Sequence, residues 1–101
     1  MDNQVYTIGR WRVKGGRQQD FIDAWIALGE TFASLPDPPG RGTLLQSATD
    51  PTLFYSFGPW SSMEAVSAMR NDPHAGEGIR KLVELCTEAT PGTFIVVAES
   101  T

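Results

Sequence analysis

The run Leu53-Phe54-Tyr55-Ser56-Phe57-Gly58-Pro59-Trp60, followed by Ser61-Ser62-Met63-Glu64, decides how this chain folds. An aromatic strand runs into a Gly-Pro break, a tryptophan and an immediate helix start. Leu53, Tyr55 and Phe57 alternate with Phe54, Ser56 and Gly58, the period of two expected of a pleated segment. Both faces carry bulk, so one is expected to meet helices and the other a second copy of the chain. Ser61-x-x-Glu64 reads as a capping box, each side chain satisfying a free backbone N–H, and Met63, Val66 and Met69 give the helix its apolar side. Trp60 stands where sheet hands over to helix, so a ligand pocket is expected near it.

Upstream, Val5 to Val13 reads as strand one: Val5, Thr7, Gly9, Trp11 and Val13 alternate with Tyr6, Ile8, Arg10 and Arg12. Gly9 leaves a gap above the sheet, either a bulge or room for a close approach. Gly15-Gly16 ends the strand. Phe21, Trp25, Leu28, Phe32 and Leu35 then recur at spacings of four and three, stacking on one helix face that Ile22 and Ile26 widen. Asp20 and Asp23 in its early turns complement the helix dipole, and Pro36 with Pro38-Pro39-Gly40 stops it.

Residues 42–48 and 52–58 form a hairpin around Thr49-Asp50-Pro51. Past the capped helix, Asn71-Asp72-Pro73 is a stop. Ile79, Leu82, Val83 and Cys86 mark a third helical piece, broken by Pro91-Gly92, and residues 93–99 close the chain as a β-branched strand. The order β, α, β, β, α in two pieces, β predicts an α+β, ferredoxin-like (βαββαβ) antiparallel sheet with helices on one face. The bare face then calls for a two-fold homodimer.

The length of 101 residues is one domain's worth, taken as residues 1–101. A net charge of −4 argues against nucleic acid, which rewards clustered Lys and Arg. The single cysteine, Cys86, forms no internal disulfide and reads as a small buried hydrophobe. One histidine and one cysteine give no zinc-ligand spacing, so no metal is expected. The start Met-Asp-Asn-Gln lacks a leader's basic and apolar regions, and no apolar run approaches the roughly eighteen residues of a membrane span. The expectation is a cytoplasmic protein that does not engage membranes.

Lys14-Gly15-Gly16 leading into the Phe21…Trp25 helix, Gly42 opening the second strand, Phe54-x-x-Phe57-x-x-Trp60-Ser61-Ser62 leading into Glu64-Ala65, and Leu82…Leu85-Cys86 before Gly92-x-Phe94 together resemble the antibiotic biosynthesis monooxygenase family of the dimeric α+β barrel superfamily. The resemblance covers nearly the whole chain and implies a dimeric α+β barrel. Members of that family include oxygenases that oxidise polycyclic phenols or quinols with molecular oxygen and no cofactor. A haem-degrading branch uses an asparagine, a tryptophan and a histidine where this chain holds Ile8 or its neighbours, Met69 and Ile79, so haem degradation is not expected. Fold alone does not choose a chemistry.

A cofactor-free oxygenase needs aromatic walls, a way to remove a proton, and a cation or hydrogen-bond donor near the developing anion. Trp60 is the candidate wall, or else a tryptophan that only fixes the strand–helix junction. Tyr55 is a proton relay or a dimer contact. His74, read as lying in the loop after Pro73, is the candidate base, with Asp72 to orient it, or else an idle surface residue. Trp11, Trp25 and Phe57 are candidate cavity lining. Arg12 (or Arg10) could steady an anion, although both share the strand face opposite Trp11. Two functions follow: a cofactor-independent monooxygenase acting on an aromatic, quinol or polyketide-like molecule, or a non-catalytic dimeric barrel for binding small apolar ligands or for stress response.

Overall fold

A computed structural model describes residues 4–101; the reading of the N-terminus as leaderless concerns residues 1–3, which lie outside them. The elements run β1 (Val5–Val13), α1 (Gln18–Ala33), β2 (Thr43–Gln46), β3 (Leu53–Trp60), α2 (Met63–Asn71), α3 (Pro73–Glu84) and β4 (Cys86–Ile95). The strands form one antiparallel sheet in the order β2-β3-β1-β4. This is the βαββαβ arrangement read from the sequence, with the second helix split in two.

Strand alternation sorts the side chains. Val5, Trp11 and Val13 of β1 and Phe54, Ser56 and Trp60 of β3 are buried beneath the helices. Opposed residues of antiparallel strands share a face. Arg10 opposite Tyr55 and Ile8 opposite Phe57 therefore lie on the other side, where Tyr55, Phe57, Leu45 and Phe94 are exposed.

Under the helices there are two core clusters. One joins Trp11, Val13, Phe21, Leu28, Phe54 and Leu82; the other joins Val5, Trp60, Ala65, Val66, Met69 and Ala75, and Phe32 and Ile79 pack against both. Phe21 is wholly buried. Its ring centroid lies 5.7 Å from that of Trp11 and 5.2 Å from that of Phe54, both tilted. Such pairs add about 0.5–1.5 kcal/mol to the burial itself. Phe32 meets Trp60 edge-on at 5.3 Å.

Several local expectations are corrected. Gly58-Pro59 does not break β3, which continues to Trp60 with Pro59 opposite Tyr6. In a strand the N–H and C=O of one residue point to the same side. The Pro59 carbonyl accepts from the Gly40 N–H at 2.9 Å, so its missing donor faces away from β1 and removes no bond to it. Pro91-Gly92 likewise lies inside β4, an edge strand with one unpaired side. That strand therefore spans Cys86–Ile95 rather than residues 93–99, and Cys86 opens it opposite Val13, half-buried, instead of ending a helix. Burial pushes its thiol pKa up.

The capping serine is Ser62, whose hydroxyl accepts from the Ala65 N–H at 3.1 Å; Ser61 instead donates to Asp37 at 2.6 Å. Asp72-Pro73 stops α2 and at once starts α3. Asp72 accepts from the Ala75 N–H at 2.9 Å, and Pro73 takes the first helical position, where no N–H is needed. Ile26 is exposed rather than part of the buried stripe. At the turn after β1, Gly16 takes φ +82°, the left-handed region that favours glycine.

Candidate functional site

Between the two clusters the core does not close. A cavity of about 540 Å³ remains, lined from one side by Trp11, Leu28 and Leu82 and from the other by Trp60 and Met69. Its size falls within the range of about 300–1,000 Å³ typical of small-molecule sites. Trp25 of α1 forms another wall, and Pro39, Gly40 and Gly42 line it from the segment between α1 and β2. All three tryptophans of the chain face this one space.

Two hydrogen bonds hold the indoles. Trp11 Nε1 donates to Ser56 Oγ at 2.9 Å, and Trp60 Nε1 donates to Thr7 Oγ1 at 2.9 Å. Each bond crosses between neighbouring strands β1 and β3, so the sheet register sets the tryptophan positions. With both N–H groups satisfied, the rings present apolar surface to the cavity. Gly9 explains how the first bond is possible. A Cβ at that position would stand 2.5 Å from Trp11 Nε1 and 2.6 Å from two ring carbons, well inside contact distance. The gap over Gly9 is thus filled by the indole two residues along the same strand.

The sequence-derived site residues divide. Trp11, Trp25 and Trp60 line the cavity; Phe57 also borders it, although alternation sends its side chain to the opposite face, where it is 38% exposed. Tyr55 lies on that opposite face and does not line the cavity, because it is one residue out of phase with Phe54 and Ser56. Arg12 is on the same outer face, tied to Asp50 by an ion pair and to Thr52 Oγ1 at 3.2 Å, so it anchors the β2–β3 turn. The Thr52 hydroxyl and backbone N–H, followed by Arg12, hold the Asp50 carboxyl down at about 2. Neighbouring Arg10 is pushed above its ordinary value by Tyr55 first, with Glu88 adding to it. His74 is not in a loop: it sits exposed in the first turn of α3 and does not line the cavity.

Sequence reading missed Arg70, in the last turn of α2. Among the described residues it is the one ionisable residue that lines the cavity, and its Nη2 donates to Thr93 Oγ1 at 2.7 Å. A basic residue at a helix C-terminus reads as complementing the dipole, which hid it. Among the described residues, no carboxylate, imidazole, thiol or phenol lines the cavity, and no cluster of three or more His, Cys, Asp or Glu could hold a metal ion. No helix in the described residues is long and apolar enough to cross a membrane.

No protein-family model matches the chain, and no curated protein matches it by sequence. Solved structures do. Two structures of SnoaB, a cofactor-independent oxygenase from Streptomyces nogalater, superpose with TM-scores of 0.86 and 0.80 at 20% identity. In the first of these the match covers 97% of both chains. A candidate antibiotic biosynthesis monooxygenase from Nitrosomonas europaea superposes with a TM-score of 0.81 at 19% identity, over 100% of this chain and 98% of its own. Rv0793 from Mycobacterium tuberculosis gives 0.79 at 18% identity, covering 97% of this chain and 99% of its own. The chain has the fold of these proteins. Its α+β, ferredoxin-like fold is the one that the resemblance in its sequence implied for a single chain.

Gly9→Ala tests the packing that shapes the cavity. It should lower unfolding free energy by about 2 to 4 kcal/mol, from overpacking plus the lost Trp11–Ser56 bond. Gly29→Ala on α1, where a Cβ meets nothing within 4 Å, should leave stability equal or slightly raised. Urea denaturation measures both. Wild-type stability in Gly9→Ala would contradict the placement of the indole.

Proposed function

We propose that this protein is a member of the antibiotic biosynthesis monooxygenase family that oxidises a flat, electron-rich aromatic molecule with molecular oxygen. The observation that carries this reading is the cavity of about 540 Å³ walled by Trp11, Trp25 and Trp60. The fold shared with SnoaB, itself a cofactor-independent oxygenase, supports it further.

The chemistry asks little of such a site. An anthrone or hydroquinone loses a proton, its anion passes electrons to oxygen, and the new bond to oxygen forms at the activated carbon. For an anthrone, one methylene carbon and one oxygen molecule give a carbonyl and one water. The walls exclude water and hold the ring system flat. Because the described lining offers no side-chain base, the proton goes to solvent or is already lost when the substrate binds. The rate should therefore rise with pH through the substrate's own ionisation, not through that of a histidine.

The same lack of a base favours a second reading, a barrel that binds such molecules without turnover. Oxygen uptake with a panel of anthrones and hydroquinones separates the two. The oxygenase reading expects uptake above the buffer rate with at least one of them, abolished by Gly29→Phe, which fills the cavity from α1. Binding without uptake across the panel would contradict it and favour the binding protein.

The assembly in this reading is a homodimer. Leu45, Tyr55, Phe57 and Phe94 on the helix-free face are each 38–52% exposed, and a second copy with the same face covers them by two-fold symmetry. Sedimentation equilibrium should give twice the 11.0 kDa chain mass. Tyr55→Asp should shift the equilibrium toward monomer, since it would bury an unpaired charge. A wild-type monomer at micromolar concentration would contradict the dimer.

A further inference from the structure

We propose that Arg70 selects ligands carrying one anionic oxygen at the rim of an otherwise apolar aromatic body. This rests on the reading of the cavity as an aromatic-ligand site, not on turnover. Arg70 is exposed in the last turn of α2 while its neighbour Met69 is buried in the core, which places the guanidinium at the cavity's solvent side and not in its interior.

The charge around it is distinctive in two ways. Arg10, Arg12, Arg17 and Arg80 each have a carboxylate partner; Arg41 and Arg70 pair with no carboxylate of the described residues, and of these two only Arg70 lines the cavity. Among the described residues its one side-chain hydrogen bond is to the neutral Thr93 hydroxyl, at 2.7 Å. A guanidinium carries five N–H donors in a rigid fork, so most of its donors are left for other partners. The remaining lining is dominated by apolar surface, and the Ser56 and Thr7 hydroxyls already accept from the indoles. In a chain of net charge −4, this is where an anion entering the cavity finds an unneutralised cation.

The ligand class follows from that pairing. Rings fill the space between the tryptophans, and a carboxylate or phenolate oxygen at one edge meets the guanidinium. Thr93, on the partly exposed β4 edge, orients the fork by holding one nitrogen, making it a positioning residue. A neutral ligand of the same shape would gain the burial but not the charge-assisted hydrogen bonds.

Anthracene-2-carboxylate and its carboxamide are a matched pair of probes for this. Since all three tryptophans line the cavity, quenching of intrinsic fluorescence reads binding there directly. Wild type should bind the carboxylate about tenfold more tightly than the carboxamide at low salt, the preference shrinking as salt rises. Arg70→Gln should bring the two affinities within about twofold without weakening the carboxamide, and Arg70→Lys should retain part of the preference. Thr93→Val keeps the charge and removes the tether, so it should reduce the preference without abolishing it. Equal binding of the two probes by wild type, or a preference that survives Arg70→Gln, would overturn the assignment while leaving the cavity reading intact. Failure of both probes to bind would overturn the two together.

Discussion

Trp11 folding back over Gly9 to donate to Ser56 is the contact on which the rest of the molecule depends. It ties β1 to β3 through side chains as well as through the ladder. It fills the space above a residue with no side chain of its own, and it sets the indole at a tilt against Phe21. From that one placement follow the aromatic packing of Trp11, Phe21 and Phe54 at one end of the core and the wall of the cavity at its middle. The bond of Trp60 to Thr7 repeats the arrangement toward the other end of the same two strands. Two rigid indoles, each satisfied by a hydroxyl on the neighbouring strand, hold apart two clusters that would otherwise merge into one core.

That arrangement gives the two faces of the sheet different characters. The helix side carries the cavity, with apolar walls and a single cation at its mouth. The other side carries Arg10, Arg12, Asp50 and Glu88 among exposed aromatics, a mixture suited to a surface that meets another copy. Charges on that outer side are neutralised in pairs, whereas the cation by the cavity is not. In the proposed reading, binding and assembly draw on alternate residues of the same strands, and a slip of one residue in register would exchange them.

Much of this was legible in the sequence. Alternation in Val5–Val13 and Leu53–Trp60, and the spacing of Phe21, Trp25, Leu28 and Phe32, are imposed by burial against a common core, so they gave the element order and the topology. Trp60 stands out because it sits where sheet hands over to helix, and Trp11 and Trp25 because an oxygenase cavity needs aromatic walls. What escaped reading was local. Gly58-Pro59 and Pro91-Gly92 look like breaks, but a proline interrupts a sheet only when its missing N–H faces a paired strand, and pairing is not visible along one chain. Ser61 and Ser62 are both able to cap, and only backbone geometry selects Ser62. Tyr55 lies on the wrong face by a single step of the alternation. Along the chain Asp72-Pro73 looks only like a stop, which puts His74 in a loop, yet the same two residues also begin a helix. Arg70 locally reads only as a complement to the α2 dipole; its place by the cavity arises from β4, far away in sequence, approaching the end of α2.

In the reading proposed above, the space between Trp11 and Trp60 is a site for a flat aromatic anion. A crystal structure of the protein grown with anthracene-2-carboxylate tests it most directly. The ring system should lie within the cavity, in contact with Trp11, Trp25 and Trp60, with its carboxylate within hydrogen-bonding distance of Arg70. A ligand seated instead on the outer face of the sheet beside Tyr55 and Arg10, or a cavity closed by its own side chains with no ligand inside, would contradict it.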